Sequence, residues 1–155
     1  MELYIYTDGS CRGNGTANAV GAWGFVALDE YMHIEKEYAE VEHNTTNQRM
    51  ELRAVIAGCE WGKRNVWKSE DDEIHIYTDS AYIHNCHDQK WYINWQKNGW
   101  RNSKKEPVAN QDLWEQLVPY FEDSQIYFHK VKGHDNDKWN CYIDKKVQQL
   151  SMEAK

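Results

Sequence analysis

Two distant segments of the sequence end an apolar, strand-like run in the same Thr-Asp step. Residues 3–7 read Leu-Tyr-Ile-Tyr-Thr before Asp8, and residues 73–78 read Glu-Ile-His-Ile-Tyr-Thr before Asp79. β-Branched and aromatic residues favour strands, whereas the small residues after each Asp favour turns. In open α/β sheets, ligands bind beyond the carboxyl ends of strands. We therefore predict that Asp8 and Asp79 follow two strands and meet at one edge of a sheet.

Hydrophobic spacing predicts the remaining elements. Further strands are expected at residues 20–28, 32–41 and 125–131. Residues 44–47 (Asn-Thr-Thr-Asn) are typical helix caps, and apolar residues with helical spacing follow to about Trp61. Residues 63–72 are expected to be a polar linker. Three more helices are predicted, running through Asn85, from Asn110 or Gln111 through Phe121, and over residues 138–152.

The order of these elements predicts an α/β fold. Short connections let the first three strands pair as an antiparallel meander, whereas helical crossovers make the later strands parallel. The expected architecture is a five-stranded mixed sheet flanked by helices. The length of 155 residues suits a single domain over residues 1–155.

Composition excludes several classes of protein. The chain is 41% hydrophobic and 28% charged, which is typical of a folded globular domain. It has no apolar run of 18 residues and no signal-peptide pattern at its start. Four scattered cysteines form no CxxC pair, which argues against a zinc ribbon and favours reduced thiols. We expect a cytoplasmic monomer that does not bind membranes.

The charge distribution bears on the partner. A net charge of −7 argues against nucleic-acid binding, because phosphate contacts need a basic surface. Residues 88–106, however, contain five Lys or Arg residues and only two acidic ones. A local basic surface could therefore coexist with carboxylates gathered elsewhere.

Two further carboxylates could join the pair at the sheet edge. Glu51 lies in the first turns of the capped helix, and Asp144 lies on the final helix. Clustered carboxylates repel one another unless cations bind between them or some take up protons. Oxygen ligands favour Mg²⁺ or Mn²⁺, and two such ions can promote phosphodiester cleavage. Taken singly, Asp8 and Asp79 could serve a turn or cap, Glu51 could be a solvated helix residue, and Asp144 could be a surface charge.

Together these residues resemble type 1 ribonuclease H from about Glu2 to Leu150. The shared motifs are residues 6–11 (Tyr-Thr-Asp-Gly-Ser-Cys), 46–52 (Thr-Asn-Gln-Arg-Met-Glu-Leu), 77–80 (Tyr-Thr-Asp-Ser), 131–134 (Val-Lys-Gly-His), Asn140 and Asp144. Residues 91–100 also resemble the basic protrusion of that family. The sequence departs from the family pattern at Cys141, where Glu is frequent, and at Ala81, where many members have Gln.

The resemblance implies a ribonuclease H-like fold and an endonuclease that hydrolyses the RNA strand of RNA–DNA hybrids. Two Mg²⁺ ions, or Mn²⁺ instead, would serve a reaction that leaves 3′-hydroxyl and 5′-phosphate ends. By this resemblance the metal-binding carboxylates are Asp8, Glu51, Asp79 and Asp144. His134 would assist proton transfer or product release.

The resemblance also implies residues that contact the hybrid. Asn14, Asn47 and Gln48 would face the minor groove, where amides suit the 2′-hydroxyl because it both donates and accepts. Thr46 and Asn110 would hold a DNA phosphate. The expected surface for the DNA strand comprises Trp91, Trp95, Lys97 and Arg101. Capping, packing and plain solvation remain alternative roles for these residues, and packing is favoured for Trp100.

Three other functions compete with the nuclease. One is a module of the same fold that binds hybrids without cutting them, and loss of an acidic ligand would favour it. Another is a different nuclease or an integrase of this fold, although such proteins usually lack the basic protrusion and the Gly-His pair. The third is an acidic scaffold whose Trp-rich helix binds protein, which insensitivity to metal removal would favour.

Overall fold

A computed structural model describes residues 1–65, 69–131 and 137–154. The strands are β1 (Glu2–Arg12), β2 (Val20–Leu28), β3 (Ile34–His43), β4 (Glu73–Thr78) and β5 (Ile126–Lys130). The helices are α1 (Asn47–Asn65), α2 (Ala81–Asp88), α3 (Trp91–Lys97), α4 (Gln111–Phe121) and α5 (Lys138–Glu153).

The five strands form one sheet in the order β3-β2-β1-β4-β5. β1, β2 and β3 pair antiparallel, whereas β4 runs parallel to both β1 and β5. This arrangement confirms the predicted mixed sheet with an antiparallel meander followed by crossover strands. β1 lies at the centre, where it pairs antiparallel with β2 on one side and in parallel with β4 on the other.

Helices cover the two faces of the sheet unequally. Alternate residues of β1, such as Leu3 and Ile5, join the large core beneath α1 and α4. Gly58 and Gly62 let α1 approach this face closely, because a Cβ at Gly62 would lie 3.1 Å from Ile74. On the other face, α5 packs on β1, β2 and β3 through the small core that includes Ile143 and Val147.

Several element bounds agree with the sequence analysis, and others differ. The predicted bounds of β2, β4 and α4 are confirmed. The prediction that β1 stops before Asp8 is wrong, because its antiparallel pairing with β2 continues to Arg12 opposite Val20. The predicted linker from residue 63 is wrong at its start, since α1 continues to Asn65. β3, β5, α2 and α5 differ from prediction by a few residues at their ends, where propensity is weakest.

All four cysteines lie in the described part of the chain, and none of them forms a disulfide. Among the described helices, none combines the length and apolar character that crossing a bilayer requires.

Candidate active site

Strand register brings Asp8 and Asp79 together. β1 and β4 pair in parallel up to Tyr6 and Tyr77, which lie opposite each other. Asp8 and Asp79 each follow two residues later, and side chains two residues apart on a strand share a face. Beyond this point β1 continues against β2 alone, while β4 ends at Thr78. The carboxylates of Asp8 and Asp79 therefore lie where β1 and β4 separate.

A close backbone contact places Glu51 beside them. A Cβ at Gly9 would lie 2.2 Å from the carbonyl carbon of Met50 and 2.5 Å from the nitrogen of Glu51. Only glycine lets the α1 backbone approach β1 this closely. Ser80 then hydrogen-bonds to Glu51 and also caps α2 by accepting from the N–H of Ile83 at 3.1 Å. Ser80 was not among the predicted site residues, although its position after Asp79 is typical of a helix cap.

The fourth carboxylate reaches the site from the opposite face of the sheet. Asp144 lies on α5, which begins at an N-cap formed by Asp137 accepting from the N–H groups of Trp139 and Asn140. Gln148, one turn later, donates to both carboxylate oxygens of Asp144 at 3.2 Å. Ile143 beside it is fully buried in the core under α5. Packing of α5 thus fixes the position of Asp144 relative to β1.

Electrostatics show that the four carboxyl groups form one cluster. Burial is the largest cause that raises the pKa of Asp8, and the charges of Asp79, Asp144 and Glu51 add to it, which brings the value to about 9. Burial is also the largest cause for Glu51; the hydrogen bond from Ser80 lowers its pKa, the charge of Asp79 raises it, and the resulting value is about 7. Asp8 and Glu51 therefore resist ionisation because carboxylates lie nearby and because little water reaches them.

This cluster fits divalent metal ions. Asp8 is only 5% exposed, and its Oδ2 has no hydrogen-bond partner among the described residues. A buried carboxylate oxygen without a donor is costly, and a cation would compensate it. The donor set of the cluster is made of carboxylate oxygens, which Mg²⁺ and Mn²⁺ prefer over the softer transition metals. His134, predicted to assist here, lies outside the described residues.

Three predicted minor-groove residues adjoin the cluster. The backbone N–H of Cys11 donates to Asn47 Oδ1 at 2.6 Å, and the N–H of Asn47 donates to Asn14 Oδ1 at 2.9 Å. These bonds tie the end of β1 to the start of α1. Each amide oxygen accepts a hydrogen bond, and both residues are exposed, so their NH₂ groups remain available as donors to a ligand. Gln48 is exposed on the first turn of α1.

A guanidinium joins the two predicted phosphate-binding residues. Thr46 caps α1 by accepting from the N–H of Arg49 at 3.2 Å. Arg49 Nη1 donates to Asn110 Oδ1 at 3.3 Å, and its two terminal nitrogens bind Asp112 at 2.9 and 2.7 Å. The structure therefore brings Thr46 and Asn110 together through Arg49. Arg49 was missed as a site residue, because a bridge between two helices leaves no local sequence signal.

The tryptophans of the basic segment pack and also line a groove. Trp95 contacts the buried Trp114, with ring centroids 5.4 Å apart. Trp91 meets the Trp95 ring edge-on, and Trp100 packs against it at a tilt. The three rings nevertheless remain half-buried rather than enclosed. A groove of about 570 Å³ is lined by Trp91, Trp95, Lys97 and Arg101, among other residues. All four predicted DNA-strand residues therefore share one surface.

The two departures from the family pattern lie at helix starts. Ala81 is the first residue of α2, exposed beside Asp79. Cys141 lies in the first turn of α5, where its backbone N–H donates to Asp137 O at 3.1 Å. Neither residue supplies a carboxylate to the cluster.

Comparison with known proteins matches this geometry to a family. The family model for RNase H matches residues 1–152. The chain belongs to the ribonuclease H family. As a member of this family it is an endonuclease, an enzyme that hydrolyses phosphodiester bonds, which disfavours the scaffold and the binding-only module as alternatives.

Named relatives of the ribonuclease H family extend over nearly the whole chain. A ribonuclease H of Syntrophomonas wolfei is 49% identical over 143 residues, covering 92% of this chain and 91% of the relative. A ribonuclease H of Clostridium botulinum is 42% identical over 152 residues, covering 98% of this chain and 97% of the relative.

Solved structures share the ribonuclease H fold at lower identity. LC9-RNase H1, a type 1 enzyme with a type 2 active-site motif, superposes with a TM-score of 0.77 at 24% identity, covering 99% of this chain and 74% of that one. LC11-RNase H1 in complex with an RNA/DNA hybrid superposes with a TM-score of 0.66 at 20% identity, covering 96% of this chain and 98% of that one. These likenesses support the predicted ribonuclease H-like fold.

Proposed function

We propose that this protein hydrolyses the RNA strand of RNA–DNA hybrids at the carboxylate cluster of Asp8, Glu51, Asp79 and Asp144. The observation that carries the proposal is the raised pKa of Asp8 and of Glu51, caused by burial and by neighbouring carboxylates, together with a buried oxygen of Asp8 that has no hydrogen-bond partner among the described residues. Membership of the ribonuclease H family supports the substrate class, as does the hybrid bound by the related LC11-RNase H1.

The proposed chemistry is in-line attack of water on an RNA phosphate. The P–O3′ bond breaks, so the products carry a 3′-hydroxyl and a 5′-phosphate. Two Mg²⁺ ions, or Mn²⁺ in their place, would supply Lewis-acid stabilisation of the charge that develops on the phosphate and the leaving oxygen. The chain itself contributes fixed geometry: Gly9 holds Glu51 against β1, and Ser80 orients its carboxylate. Proton transfer by His134 remains part of the proposal.

Recognition of the hybrid is proposed to use three surfaces. The NH₂ groups of Asn14 and Asn47, together with Gln48, would read the 2′-hydroxyls of the RNA strand. Thr46 and Asn110, held together by Arg49, would bind a phosphate of the DNA strand. The groove of Trp91, Trp95, Lys97 and Arg101 would contact the DNA backbone next to that phosphate.

We propose that the chain acts as a single-domain cytoplasmic monomer.

The direct test of substrate class is cleavage of end-labelled duplexes of one sequence. RNA–DNA, RNA–RNA and DNA–DNA duplexes are incubated with Mg²⁺, and each strand is followed separately. We expect only the RNA strand of the hybrid to be cut, with products that a 5′-phosphate-dependent exonuclease degrades. Equal cutting of RNA–RNA duplex, or cutting of the DNA strand, would contradict the proposal.

A further inference from the structure

A second group of metal-ligating side chains lies at the other end of the sheet. Glu2, Glu73 and His75 each offer a ligand atom, and these atoms lie within 4.8 Å of one another. Glu2 is six residues before Asp8 on β1, which corresponds to about 20 Å at ~3.3 Å per residue. This group therefore cannot share ions with the carboxylate cluster.

The backbone sets the arrangement of these three side chains. Glu2 lies opposite Glu73, and Tyr4 lies opposite His75, in the parallel register of β1 and β4. Glu73 and His75 are two residues apart on one strand and so share a face. The N–H of Glu73 also donates to the carbonyl of Met1 at 2.9 Å, which holds the start of β1 beside β4.

The imidazole of His75 is held on both sides of its ring plane. Tyr4 stacks on one side with centroids 5.2 Å apart, and Tyr127 stacks at 5.1 Å, both inclined by 17°. Its Nδ1 lies 2.8 Å from Nε2 of His129. Its Nε2 points at Glu73 Oε1 at 3.0 Å. The ring therefore has one orientation, in which Nε2 faces the carboxylates.

The carboxylates are also oriented before any ion arrives. The Tyr4 hydroxyl donates to Glu2 Oε2 at 2.6 Å, and Glu73 faces the imidazole. The side chain of His75 is 16% exposed and that of Glu73 is 38% exposed, so an ion could enter from solvent. α5 packs mainly on β1, β2 and β3.

We propose that Glu2, Glu73 and His75 form a binding site for a divalent transition-metal ion such as Zn²⁺. One imidazole nitrogen with two carboxylates suits Zn²⁺, whereas Mg²⁺ prefers oxygen ligands alone. Zinc bonds of about 2.0–2.2 Å need ligand atoms roughly 3.3–3.5 Å apart, which small side-chain rotations here would give. Solvent would complete the coordination.

His129 has a defined part in this site. A metal ion on Nε2 of His75 requires the ring proton on Nδ1, which then donates to Nε2 of His129. Such a partner fixes the tautomer of a metal-binding histidine, and its loss typically costs about 10–100-fold in affinity. His129 is thus a positioning residue, and it need not touch the ion.

The test is calorimetric titration of the EDTA-treated, untagged full chain with ZnCl₂. We expect His75→Gln and the double variant Glu2→Gln/Glu73→Gln to lose one equivalent of bound Zn²⁺, and His129→Asn to bind it about tenfold more weakly. The matched control is His33→Gln, which alters an exposed histidine 3.6 Å from Asp29 and should change nothing. Asp79→Asn removes zinc bound at the carboxylate cluster and should leave this equivalent intact.

A second measurement needs no variant to fold. In histidine-ring ¹⁵N spectra of the unmodified chain, Zn²⁺ should move Nε2 of His75 to a metal-bound shift and leave Nδ1 protonated. Mg²⁺ at the same concentration should leave that ring unchanged. An unaltered His75 ring on zinc addition, or full zinc binding by the His75 and double Glu variants, would overturn the proposal. Either result is independent of whether the chain cleaves hybrids.

Discussion

At the scale of single residues, burial decides how Asp8 behaves. Its side chain is 5% exposed, and three other carboxylates surround it, so its pKa rises to about 9. The folded protein therefore binds a proton at Asp8 between the ordinary pKa near 4 and about pH 9, where the unfolded chain does not. Without metal, the contribution of Asp8 to the free energy of unfolding falls as the pH rises through this window.

Asp8→Asn removes that proton requirement and keeps the shape of the side chain. In EDTA at pH 8, we expect the melting temperature of the variant to be about 2–4 °C higher than that of the unchanged chain. A gain of ~1 kcal/mol in the free energy of unfolding gives a shift of this size in a domain of this length. The unchanged chain should gain stability on addition of Mg²⁺, and the variant should gain much less. Calorimetric melting curves with and without Mg²⁺ measure both effects. A lower melting temperature for Asp8→Asn in EDTA would refute this reading of the cluster.

At the scale of elements, the contact between β1 and α1 positions the site. Gly9→Ala would place a methyl group 2.2 Å from the backbone carbon of Met50, so one element must move. We expect a loss of about 3 kcal/mol or more in the free energy of unfolding, at the upper end for overpacking. Any folded variant should also lose hybrid cleavage because Glu51 shifts.

The control for this prediction is Gly58→Ala in the same pair of elements. There the added Cβ meets side-chain atoms alone, the nearest being the Ile5 methyl group at 3.0 Å, and alanine favours the helix. We expect a change within about 1 kcal/mol in denaturant unfolding. Similar losses for the two variants would show that the Gly9 contact has no special role.

The Arg49 bridge between α1 and α4 is expected to affect substrate binding more than stability. Arg49→Lys keeps the charge but loses the fork that binds Asp112 and reaches Asn110. We expect KM for the hybrid to rise about three- to tenfold with kcat nearly unchanged, because a phosphate contact is lost rather than the chemistry. Stability should fall by less than about 1 kcal/mol, since the ion pair is largely exposed.

The ion pair between Arg53 and Glu42 offers a matched control for the arginine-to-lysine substitution. Arg53, whose side chain is about as exposed as that of Arg49, binds Glu42 of β3 at 2.9 Å. Arg53→Lys should leave both kinetic constants within twofold of the unchanged chain. Steady-state kinetics on the hybrid distinguish the two, and equal effects would place Arg49 outside the substrate-binding surface.

Sequence patterns predicted some elements better than others for physical reasons. β2, β4 and α4 have apolar runs with clear ends, and their bounds are confirmed. β1 was predicted too short, because Asp8 and Gly9 suggest a turn while the long-range pairing with β2 keeps the chain extended. The carboxylates could be named from motifs. Arg49, Ser80 and the Glu2–Glu73–His75 group could not, because their partners come from other elements.

At the scale of the whole molecule, charge is separated rather than balanced. The chain has 25 acidic and 18 basic residues, yet its proposed substrate is a polyanion. Four carboxylates meet at the cluster, whereas Lys97 and Arg101 line the groove with the tryptophans. Binding should therefore depend on a few local cations and not on net charge.

The salt dependence of hybrid binding tests this separation. Each phosphate contact contributes a slope of about −0.9 in log affinity against log salt. Lys97→Ala/Arg101→Ala should reduce the magnitude of the slope by about 1–2, measured with a catalytically inactive Asp79→Asn background over a KCl series. Lys36→Ala, an exposed β3 substitution, should leave the slope unchanged. An unaltered slope in the double variant would remove the groove from the binding surface.

The proposed function requires the carboxylate cluster to cut the RNA strand of a hybrid. Its most direct test is single-turnover cleavage of a labelled hybrid at saturating enzyme, across a Mg²⁺ titration, for the unchanged chain, Asp79→Asn and Glu51→Gln. We expect Mg²⁺-dependent cutting of the RNA strand by the unchanged chain, abolished by EDTA, and a rate at least about a thousandfold lower in both folded variants, equivalent to ~4 kcal/mol. Cleavage that persists in EDTA, or full activity in Asp79→Asn, would contradict it.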